Sequence, residues 1–379
     1  MTDEPSTPVP VIFCITDLDS GGAERALTRI AGRLERAEWD PTVICLGPRG
    51  EMADELESLR IPVIALGATS RWDARILFRL VAAFKRLRPA VVQTFLFHAN
   101  LLGRLAARLA GVRCVVGGIR VAERRSKWYH RLDRWTEFLV RRQVCVSEEV
   151  RRFSVETARL SADKLLVIPN GIEVTRFETA TPLPRQSLGC SDDDQLALCV
   201  GRLDPQKGMH ALLDVAGRLR DTFPRLRWLL AGEGALRQTL QQRIREEHLE
   251  GVVRLLGRRE DIPELMRTAD LFVFPSLWEG QPNVVLEAMA ARLPIVTTAV
   301  EGVGGLLEAG VSAEIVPPGD VSALASSVAS LLENEEMRSQ YAARAFVRVT
   351  ACPTWESVSD EYAKLYRELL SVPQPAGSG

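Results

Sequence analysis

Short apolar segments alternate with longer amphipathic segments along most of the chain. The amphipathic segments, such as AERALTRIAGRLER (23–36) and ILFRLVAAFKRLR (76–88), carry apolar residues at helical spacing. Strands that are apolar throughout and are separated by helices indicate a parallel sheet with helices on both faces. The apolar segments of the first half predict strands at 11–18, 42–47, 62–67, 90–95, 113–119 and 143–147.

The same alternation restarts after a proline-containing segment, FETATPLPRQSLGCSDDDQ (177–195), which we interpret as a linker. The sequence therefore predicts an α/β protein with two Rossmann-like, doubly wound domains. Their boundaries are 1–172 for the N-terminal domain and 173–352 for the C-terminal domain, and a helix with a short tail occupies 353–379. Because open α/β sheets bind ligands beyond the carboxyl ends of their strands, a cleft between the domains is the expected site. The second set of strands is predicted at 196–203, 227–234, 252–257, 271–276, 294–300 and 313–320.

The composition is that of a globular protein with an uneven charge distribution. Hydrophobic residues make up 46% of the 379 positions and charged residues 26%, which excludes a disordered or fibrous chain. The 48 Lys and Arg nearly balance the 49 Asp and Glu, yet residues 71–164 hold 21 basic and 8 acidic residues, a net charge of +13. No apolar segment approaches the roughly 18–20 residues of a membrane span.

The cysteines and the start of the chain favour a reducing compartment. The seven cysteines form no CxxC pair, which is typical of small buried side chains rather than of disulfides or metal ligands. The first residues, MTDEPSTPVP, lack the basic and apolar regions of a signal peptide. We therefore expect a cytoplasmic protein, with the cytoplasmic face of a membrane as a further location. Five cysteines fall within predicted strands: Cys14, Cys45, Cys114, Cys145 and Cys199.

Several catalytic signatures are absent from the sequence. It contains no G-x-x-x-x-G-K-[ST] loop, no G-x-G-x-x-G after the first strand, no G-x-S-x-G and no H-E-x-x-H. The four histidines lie far apart in the sequence, so no cluster of histidines indicates a metal site. These absences argue against P-loop, nicotinamide, serine-hydrolase and zincin chemistry.

Two glycine-containing turns follow predicted strands and could approach an anion. Gly21 and Gly22 come after the first strand and open a helix, whose N-terminal amides suit a phosphate. A tight turn in which Glu24 complements the helix dipole explains the same pattern. In the second domain, Arg202 and Lys207 follow the first strand and could hold a diphosphate between two cations. A solvated basic turn is the alternative there.

The most informative segment is PSLWEGQPNVVLEAMA, at 275–290. A strand ends at its start, Glu279 lies on the loop, and Pro282 is expected at the first position of a helix. Glu287 follows about one and a half turns into that helix, so two carboxylates flank the amides of residues 280–284. This arrangement suits a polyol phosphate, with amides toward phosphate or sugar and carboxylates toward hydroxyls.

These segments resemble the retaining family 4 glycosyltransferases (glycosyl transferases group 1). EGQPNVVLE resembles the E-x7-E motif of that family, GRLDPQKG its phosphate-binding loop and SGGAE its N-terminal glycine loop. VIPNGIE, AGEG and LGRREDIPELMRTADLFVFPS resemble further family segments in the same order, over about residues 11–300. The resemblance implies the GT-B fold, in which two Rossmann-like domains face a central cleft. The terminal helix, with Trp355, Tyr362 and Tyr366 as anchors, is similar to the one that in this fold crosses back onto the first domain.

The resemblance also implies site roles, residue by residue. The resemblance places His98 near the reacting sugar, and a helix-capping or core histidine is the alternative. Arg292 departs from the family pattern, which usually has a small residue at that position. The implied roles are Glu279 and His98 at the reacting sugar; Arg202, Lys207, Gly21 and Gly22 at the donor phosphates; Gly280, Gln281, Pro282 and Asn283 with Glu279 at the sugar hydroxyls; and Glu287 and Arg258 at the nucleoside.

The implied activity is transfer of a sugar from a nucleotide-diphosphate sugar, expected to be a UDP-sugar, to a glycan or lipid-linked acceptor. The family resemblance implies retention of the anomeric configuration through a front-face mechanism, in which the leaving phosphate helps to deprotonate the acceptor hydroxyl. A GT-B epimerase or phosphorylase and a non-catalytic nucleotide-sugar-binding subunit stay open as alternatives. A phosphorylase would need a pyridoxal-phosphate lysine, and none is identified.

We expect no cofactor and no dependence on a metal ion. The sequence contains D-x-D at 17–19 and again within 192–194, a metal motif of the other glycosyltransferase fold. We interpret both as acidic turns, because the first abuts the glycine loop and the second lies in the linker.

One stretch, 120–142, combines cations with aromatic residues. The pattern is typical of an interfacial helix on an anionic membrane surface. The alternative is an ordinary helix with a buried aromatic side and a solvated basic side. Nothing else in the chain supports a nucleic-acid partner. The cations are Arg120, Arg124, Arg125, Lys127, Arg131, Arg134, Arg141 and Arg142, the acids Glu123, Asp133 and Glu137, and the aromatics Trp128, Tyr129, Trp135 and Phe138.

Overall fold

The structure, a computed structural model, describes residues 7–19, 21–70, 73–124 and 127–371. The chain divides into two compact units. The first comprises Met1–Gly171 and Pro353–Gly379, and the second comprises Ile172–Cys352. Each unit has its own parallel sheet and its own buried core.

The first unit contains a seven-stranded parallel sheet. Its strands are β1 (Val9–Ile15), β2 (Trp39–Cys45), β3 (Val63–Ala65), β4 (Val91–Phe95), β5 (Cys114–Ile119), β6 (Arg142–Cys145) and β7 (Leu165–Val167). Their spatial order is β3-β2-β1-β4-β5-β6-β7. The order in which the chain adds strands reverses between β1 and β4, as is typical of a doubly wound sheet.

Helices cover both faces of this sheet. Side chains of β1 alternate between two cores: Val11, Phe13 and Ile15 face one, and Ile12 and Cys14 face the other. Both faces are therefore buried, which is why the strand is apolar at every position. The helices are α1 (Gly22–Arg33), α2 (Met52–Ser58), α3 (Arg75–Leu87), α4 (Phe97–Ala110), α5 (Lys127–Thr136), α6 (Glu148–Glu156) and, from the end of the chain, α14 (Trp355–Ser371).

Helix α14 packs against α1 within the first unit. Its three predicted anchors, Trp355, Tyr362 and Tyr366, are all buried in the core that contains β1. The hydroxyl of Tyr366 donates to Gln93 Oε1 at 3.2 Å, and its ring meets Trp39 edge-on at 5.6 Å between centroids. These contacts make α14 an integral part of the first unit.

The second unit contains a six-stranded parallel sheet. The strands are β8 (Gln195–Val200), β9 (Leu226–Ala231), β10 (Val253–Gly257), β11 (Leu271–Phe274), β12 (Ile295–Thr298) and β13 (Glu314–Val316). They lie in the order β10-β9-β8-β11-β12-β13. The helices are α7 (Val174–Glu178), α8 (Met209–Leu219), α9 (Arg237–Glu246), α10 (Ile262–Thr268), α11 (Asn283–Ala290), α12 (Val321–Glu333) and α13 (Glu335–Thr350).

The predicted α/β fold class is confirmed: both units are Rossmann-like parallel-sheet domains. The sequence pattern predicts twelve of the thirteen strands in the described part of the chain. It misses β7, whose three residues, Leu165–Val167, are too few to show a period. The five cysteines predicted to lie in strands are all buried.

The segment interpreted as a linker is instead packed into the second unit. Phe177, Leu188 and Cys190 are buried in the core beneath β8. The acidic turn within this segment also has a structural role, because Asp194 pairs with Arg227 at 3.1 Å and accepts a hydrogen bond from its own loop. The apolar residues of the segment 177–195 are buried, but they are too widely spaced to show a helical or strand period.

Candidate functional site

A buried cluster of charged and polar side chains lies at the carboxyl ends of β8 and β11. Lys207 Nζ donates to Glu279 Oε1 at 2.5 Å, and Ser276 Oγ donates to the same oxygen at 2.6 Å. The Lys207 side chain is 16% exposed and that of Glu279 is 8% exposed. The cluster joins two residues that lie far apart in the sequence. Lys207 is predicted to bind the donor phosphates, and Glu279 is predicted to bind the donor sugar.

Two loops must pack closely to form this cluster. Gly208 ends the 3-10 turn Pro205–Lys207 with φ +66°, and a Cβ on it would lie 2.0 Å from the Pro275 carbonyl oxygen. Glycine is therefore required there both for its conformation and for its size. Gln206 ties the loops further, since its carbonyl accepts from Leu277 N at 2.8 Å and its amide donates to the Trp278 carbonyl at 2.7 Å.

The loops after β8, β9 and β10 also interlock through their backbones. Leu203 N donates to the Glu233 carbonyl at 2.9 Å, and Gly232 N donates to the Gly257 carbonyl at 2.8 Å. A Cβ on Gly232 would lie 1.9 Å from the Gly201 carbonyl oxygen, so that glycine permits the close approach. Arg258, the predicted nucleoside contact, follows β10 directly and is exposed.

Arg202 and Lys207 differ in their surroundings. Arg202 is 51% exposed and lies 3.5 Å from Asp204, whereas Lys207 is largely buried and its Nζ is 5.4 Å from the centroid of the Phe274 ring. Burying Lys207 and Glu279 removes water from both charges, so each depends on the other for compensation. Lys207 is therefore held in place by its contacts within the protein, whereas Arg202 extends from the loop toward solvent.

The amides that follow Glu279 lead into α11. The helix begins at Asn283, one residue later than predicted, because Pro282 has an extended ψ of 109° and precedes the helix. Glu287 lies in the second turn of α11, as the spacing predicts. The Asn283 side-chain oxygen is buried and accepts no hydrogen bond from any residue that the structure describes.

A turn after β12 supports the Glu279 loop from the other side. Gly302 has φ +78°, and a Cβ on it would lie 2.2 Å from the Gly280 carbonyl oxygen. Its neighbour Glu301 accepts a long hydrogen bond from the Glu279 amide, at 3.4 Å. The backbone around Glu279 is therefore held by two loops and not by α11 alone.

In the first unit, the glycine turn after β1 is occupied by a carboxylate. Gly21 is extended, with φ −143°, and a Cβ on it would lie 2.2 Å from Glu24 Oε2. Glu24 is 4% exposed and lies in the first turn of α1. The carboxylate complements the helix dipole, which is the alternative that the sequence leaves open for Gly21 and Gly22.

His98 lies in the first turn of α4, after a strained residue. Leu96 has φ +70°, a conformation that costs a non-glycine residue about 1–3 kcal/mol. Buried Asn100 holds this turn, because it accepts from Thr94 Oγ1 at 2.6 Å and donates to the Gly118 carbonyl at 3.0 Å. The imidazole of half-buried His98 is thus placed at the carboxyl end of β4.

Comparison with known proteins gives two family matches, one in each half of the chain. Residues 20–176 match Glycosyltransferase Family 4, and residues 182–348 match Glycosyl transferases group 1. The UDP-Gal:alpha-D-GlcNAc-diphosphoundecaprenol alpha-1,3-galactosyltransferase of Escherichia coli is 28% identical over 297 residues, 74% of this chain and 77% of that protein. The chain is a group 1 glycosyltransferase of the family 4 type.

Two further similarities agree with this assignment. The phosphatidyl-myo-inositol mannosyltransferase of Mycolicibacterium smegmatis is 32% identical over 230 residues, 59% of this chain and 56% of that protein. The structure of Anabaena HepE in complex with UDP-glucose matches with a TM-score of 0.84 and 23% identity, over 95% of this chain and 99% of that one. The structural match agrees with the GT-B fold that the sequence resemblance implies.

The structure brings two of the predicted site residues of this glycosyltransferase into direct contact, and the others lie on several elements of the two units. Lys207 and Glu279 are in direct contact, and the loop of Glu279 continues through Gly280, Gln281 and Pro282 to Asn283, the first residue of α11. Arg202 lies on the loop of Lys207 without an ion pair to Glu279 among the described residues. Gly21, Gly22 and His98 belong to the first unit, and Arg258 and Glu287 lie on separate elements of the second.

The sequence reasoning missed three residues that shape the Glu279 environment. Ser276 and Gln206 lie within segments that the sequence analysis singles out, but neither was assigned a role. Glu301 lies outside every motif considered, and the only sequence signal for it is the glycine that follows. Its contact with Glu279 comes from the packing of the turn after β12.

The basic stretch 120–142 is not a uniform surface. Arg120 is 8% exposed, its guanidinium donates to Asn170 and lies 5.9 Å from the centroid of the Phe95 ring, and burial lowers its pKa. The prediction that Arg120 belongs to a contact surface is therefore wrong. Arg125 lies outside the described residues. The alternative of a buried aromatic side is wrong for Trp128 and Trp135, which are 60% and 65% exposed, whereas Tyr129 is half-buried and stacks on another aromatic ring of the first unit.

Two observations bear on metals and membranes. Among the described residues, no group of three or more His, Cys, Asp or Glu is placed to hold a metal ion. In the same part of the chain, every helix is too short or too polar to span a bilayer.

Proposed function

We propose that this glycosyltransferase moves a hexose from a UDP-sugar to a lipid-linked or glycan acceptor, with retention of the anomeric configuration. The buried cluster of Lys207, Glu279 and Ser276 carries the proposal. It presents a cation and a carboxylate side by side at the carboxyl edge of a Rossmann-like sheet, where such folds bind ligands.

Residues in and around the cluster have distinct proposed tasks. Arg202 and Lys207 bind the pyrophosphate and neutralise the charge that develops on the leaving UDP. Because Glu279 Oε1 already accepts from Lys207 and Ser276, we assign the sugar contact to Oε2. Asn283, with its buried side-chain oxygen, accepts a sugar hydroxyl. Glu287 binds the ribose hydroxyls.

The residues of the first unit serve the phosphate and the acceptor side. The amides at Gly21 and Gly22 approach the donor phosphate, with Glu24 adjusting to admit it. His98 contacts the reacting sugar. In the second unit, Arg258 contacts the base through its backbone. Acid–base work by the protein is minor in this scheme, because the leaving phosphate accepts the acceptor proton, and the residues contribute orientation and charge stabilisation.

The choice of UDP and of a lipid-linked acceptor has support from named relatives. The Escherichia coli relative uses UDP-Gal and a diphosphoundecaprenol-linked acceptor by its name, and Anabaena HepE has been crystallised with UDP-glucose. We propose a similar acceptor here, in polysaccharide biosynthesis on the cytoplasmic side of a membrane. We also propose that the reaction needs no metal ion.

A panel of nucleotide sugars tests the proposal. A ligand that binds only the native state raises the apparent stability by RT ln(1 + [L]/Kd). UDP and one UDP-hexose should raise the Tm, whereas GDP- and CMP-sugars should not. NMR of the product formed with an acceptor analogue should then show an α-linkage from an α-configured donor. Binding without any turnover would favour the non-catalytic subunit, and an inverted product would contradict the retaining mechanism.

A further inference from the structure

The first turn of α4 follows a strained backbone. Leu96, the residue before the helix, combines φ +70° with ψ 158°, a conformation that is essentially confined to glycine. Such strain persists only where the surrounding structure fixes it, and it concentrates at functional sites. Asn100 supplies part of that support through its hydrogen bonds with Thr94 and Gly118. The fold thus maintains a costly conformation directly before the turn that carries His98.

Helix α5 supplies an aromatic ring that touches this turn. Tyr129 stacks on Phe97 with 4.1 Å between ring centroids and 22° between planes. The same ring meets the imidazole of His98 edge-on, with centroids 5.8 Å apart and planes at 76°. Stacked and edge-on arrangements are those that aromatic pairs favour. Half-buried Tyr129 therefore connects α5 to the residue that we assign to the reacting sugar.

A buried charge fixes α5 against α4 at a second place. Arg104 of α4 is fully buried, and it donates to the Asp133 carboxylate and, at 3.2 Å, to Thr136 Oγ1. It also donates to Gln143 Oε1 on β6, at 2.5 Å. A buried guanidinium depends on such partners, because burial removes its water. Arg104 thus attaches α5 to both a helix and a strand of the first unit.

The two contacts lie on one side of each helix. Phe97 and Arg104 are seven residues apart on α4, and Tyr129 and Asp133 are four residues apart on α5. Both spacings return a side chain to the same face of a helix. The pair of Arg104 and Asp133 therefore sets the rotation of α5 about its axis, and that rotation directs Tyr129 toward the first turn of α4. The placement of Tyr129 depends on this charge pair as well as on the ring contacts.

We propose that Tyr129 is a positioning residue that holds the imidazole of His98 toward the reacting sugar, with Arg104 and Asp133 acting through it by orienting α5. The inference rests on the proposed function, because that function gives His98 its contact with the sugar. A histidine side chain has several staggered rotamers, and the ring of Tyr129 limits them by occupying the space beside the imidazole. Fixing one rotamer matters for the rate, because a misplacement of about 1 Å can cost on the order of 100-fold.

The first unit offers a matched contact that does not involve His98. Phe153 on α6 meets the imidazole of His130 edge-on, with 5.6 Å between centroids and 79° between planes, and it is half-buried like Tyr129. Neither Phe153 nor His130 has a role in the proposed binding or transfer. Phe153→Leu therefore removes a comparable contact between a ring and an imidazole, and it serves as the control for a general loss of packing.

Hydrolysis of UDP-glucose and UDP-galactose, measured as UDP release, tests the role of Tyr129 without an acceptor. Tyr129→Leu should lower kcat by roughly tenfold or more and keep the donor KM within about twofold of the wild type, because the imidazole is misplaced while the donor site is intact. Tyr129→Phe keeps the ring and should retain the wild-type kcat. His98→Ala should lower kcat at least as much as Tyr129→Leu, and the double variant should be no slower than His98→Ala, since both changes disable the same imidazole. Phe153→Leu should show wild-type kinetics.

NMR of the histidine side chains gives a readout that does not depend on activity. A nearby aromatic ring displaces the Cε1–H resonance of an imidazole through its ring current. The chain has four histidines, and the signal missing from His98→Ala identifies that of His98. Tyr129→Leu should move the His98 signal and leave that of His130 in place, whereas Phe153→Leu should do the reverse.

The outcomes separate this inference from the proposed function. An unmoved His98 signal in Tyr129→Leu overturns the inference, and so does a wild-type kcat in that variant. An equal loss of kcat in Tyr129→Phe would point to the hydroxyl, and an equal loss in Phe153→Leu would point to packing alone; each overturns positioning through His98. A wild-type kcat in His98→Ala, or a wild type that releases no UDP with or without the acceptor analogue, would contradict the proposed function itself, and the inference would fall with it.

Discussion

Replacing Lys207 by methionine should affect both the stability of the second unit and its affinity for UDP. The Lys207 and Glu279 side chains are 16% and 8% exposed, and their charged atoms lie 2.5 Å apart. Removing one partner of a buried pair costs about 3–5 kcal/mol, because the remaining charge is left without compensation. Ser276 still donates to the Glu279 carboxylate in the variant, so we expect the lower end, about 3 kcal/mol.

The expected change in Tm follows from the size of the unit. For a domain of 150–250 residues, to which Ile172–Cys352 belongs, each kcal/mol shifts the Tm by about 2–4 °C. Lys207→Met should therefore lower the Tm of the second unit by roughly 6–12 °C. Lys207→Met/Glu279→Met should recover much of this loss, because the uncompensated carboxylate is gone.

Arg202→Met is the matched control. Its side chain is 51% exposed and its only ion pair among the described residues, to Asp204, is 3.5 Å long, so its stability cost should be at most about 1 kcal/mol. Both Arg202→Met and Lys207→Met should weaken UDP binding by about tenfold or more. The two variants therefore separate the role of Lys207 in the fold from the role of both cations in binding.

Calorimetry with and without UDP provides the measurement. The transition that excess UDP raises identifies the second unit, and isothermal titration gives the UDP affinities. A Tm for Lys207→Met within about 2 °C of the wild type would refute the buried-pair argument. Unchanged UDP affinity in both single variants would refute the phosphate assignment.

Three further predictions address the rest of the site. Glu279→Gln should mainly lower kcat, whereas Glu287→Ala should raise the donor KM more than it lowers kcat; the reverse result would mean that the two roles are exchanged. Activity should survive EDTA, and its loss with recovery by Mn²⁺ would favour a metal site at a D-x-D sequence. Gly302→Ala should lower both the Tm and kcat, because its Cβ would meet the Gly280 carbonyl at 2.2 Å, while Gly310→Ala, with φ +69° and no neighbour within 4 Å, should show only the backbone cost.

The pattern of apolar residues determined the two-sheet architecture. A parallel strand covered on both faces needs apolar side chains at every position, as at Val11–Ile15 in β1, and that requirement is visible without any structure. The order of strands and helices limits the topology further, because parallel strands need helical crossovers. The pattern did not predict very short elements or irregular packed segments, such as β7 and the segment 177–195, because their residues show no period.

The sequence also predicted which residues could serve a sugar nucleotide, through motifs after strands that resemble those of the family 4 glycosyltransferases. It could not show that Lys207 and Glu279 pair. Their contact requires two loops that follow different strands to pack with their backbones in contact, at Gly208 and Pro275. The contribution of Glu301 depends on a third loop. Such contacts are long-range, and no local pattern encodes them.

The stretch 120–142 shows most clearly what only the tertiary structure decided. Its sequence places cations and aromatic residues at helical spacing, and that spacing is the same for a buried and an exposed face. Packing resolved the ambiguity: Arg120 lies inside the first unit, the acids Asp133 and Glu137 turn toward Arg104 and Ser161, and the tryptophans remain exposed. A helical period determines which residues share a face, but only the neighbouring elements determine which face meets the core, because burial is a property of the whole chain and not of the segment.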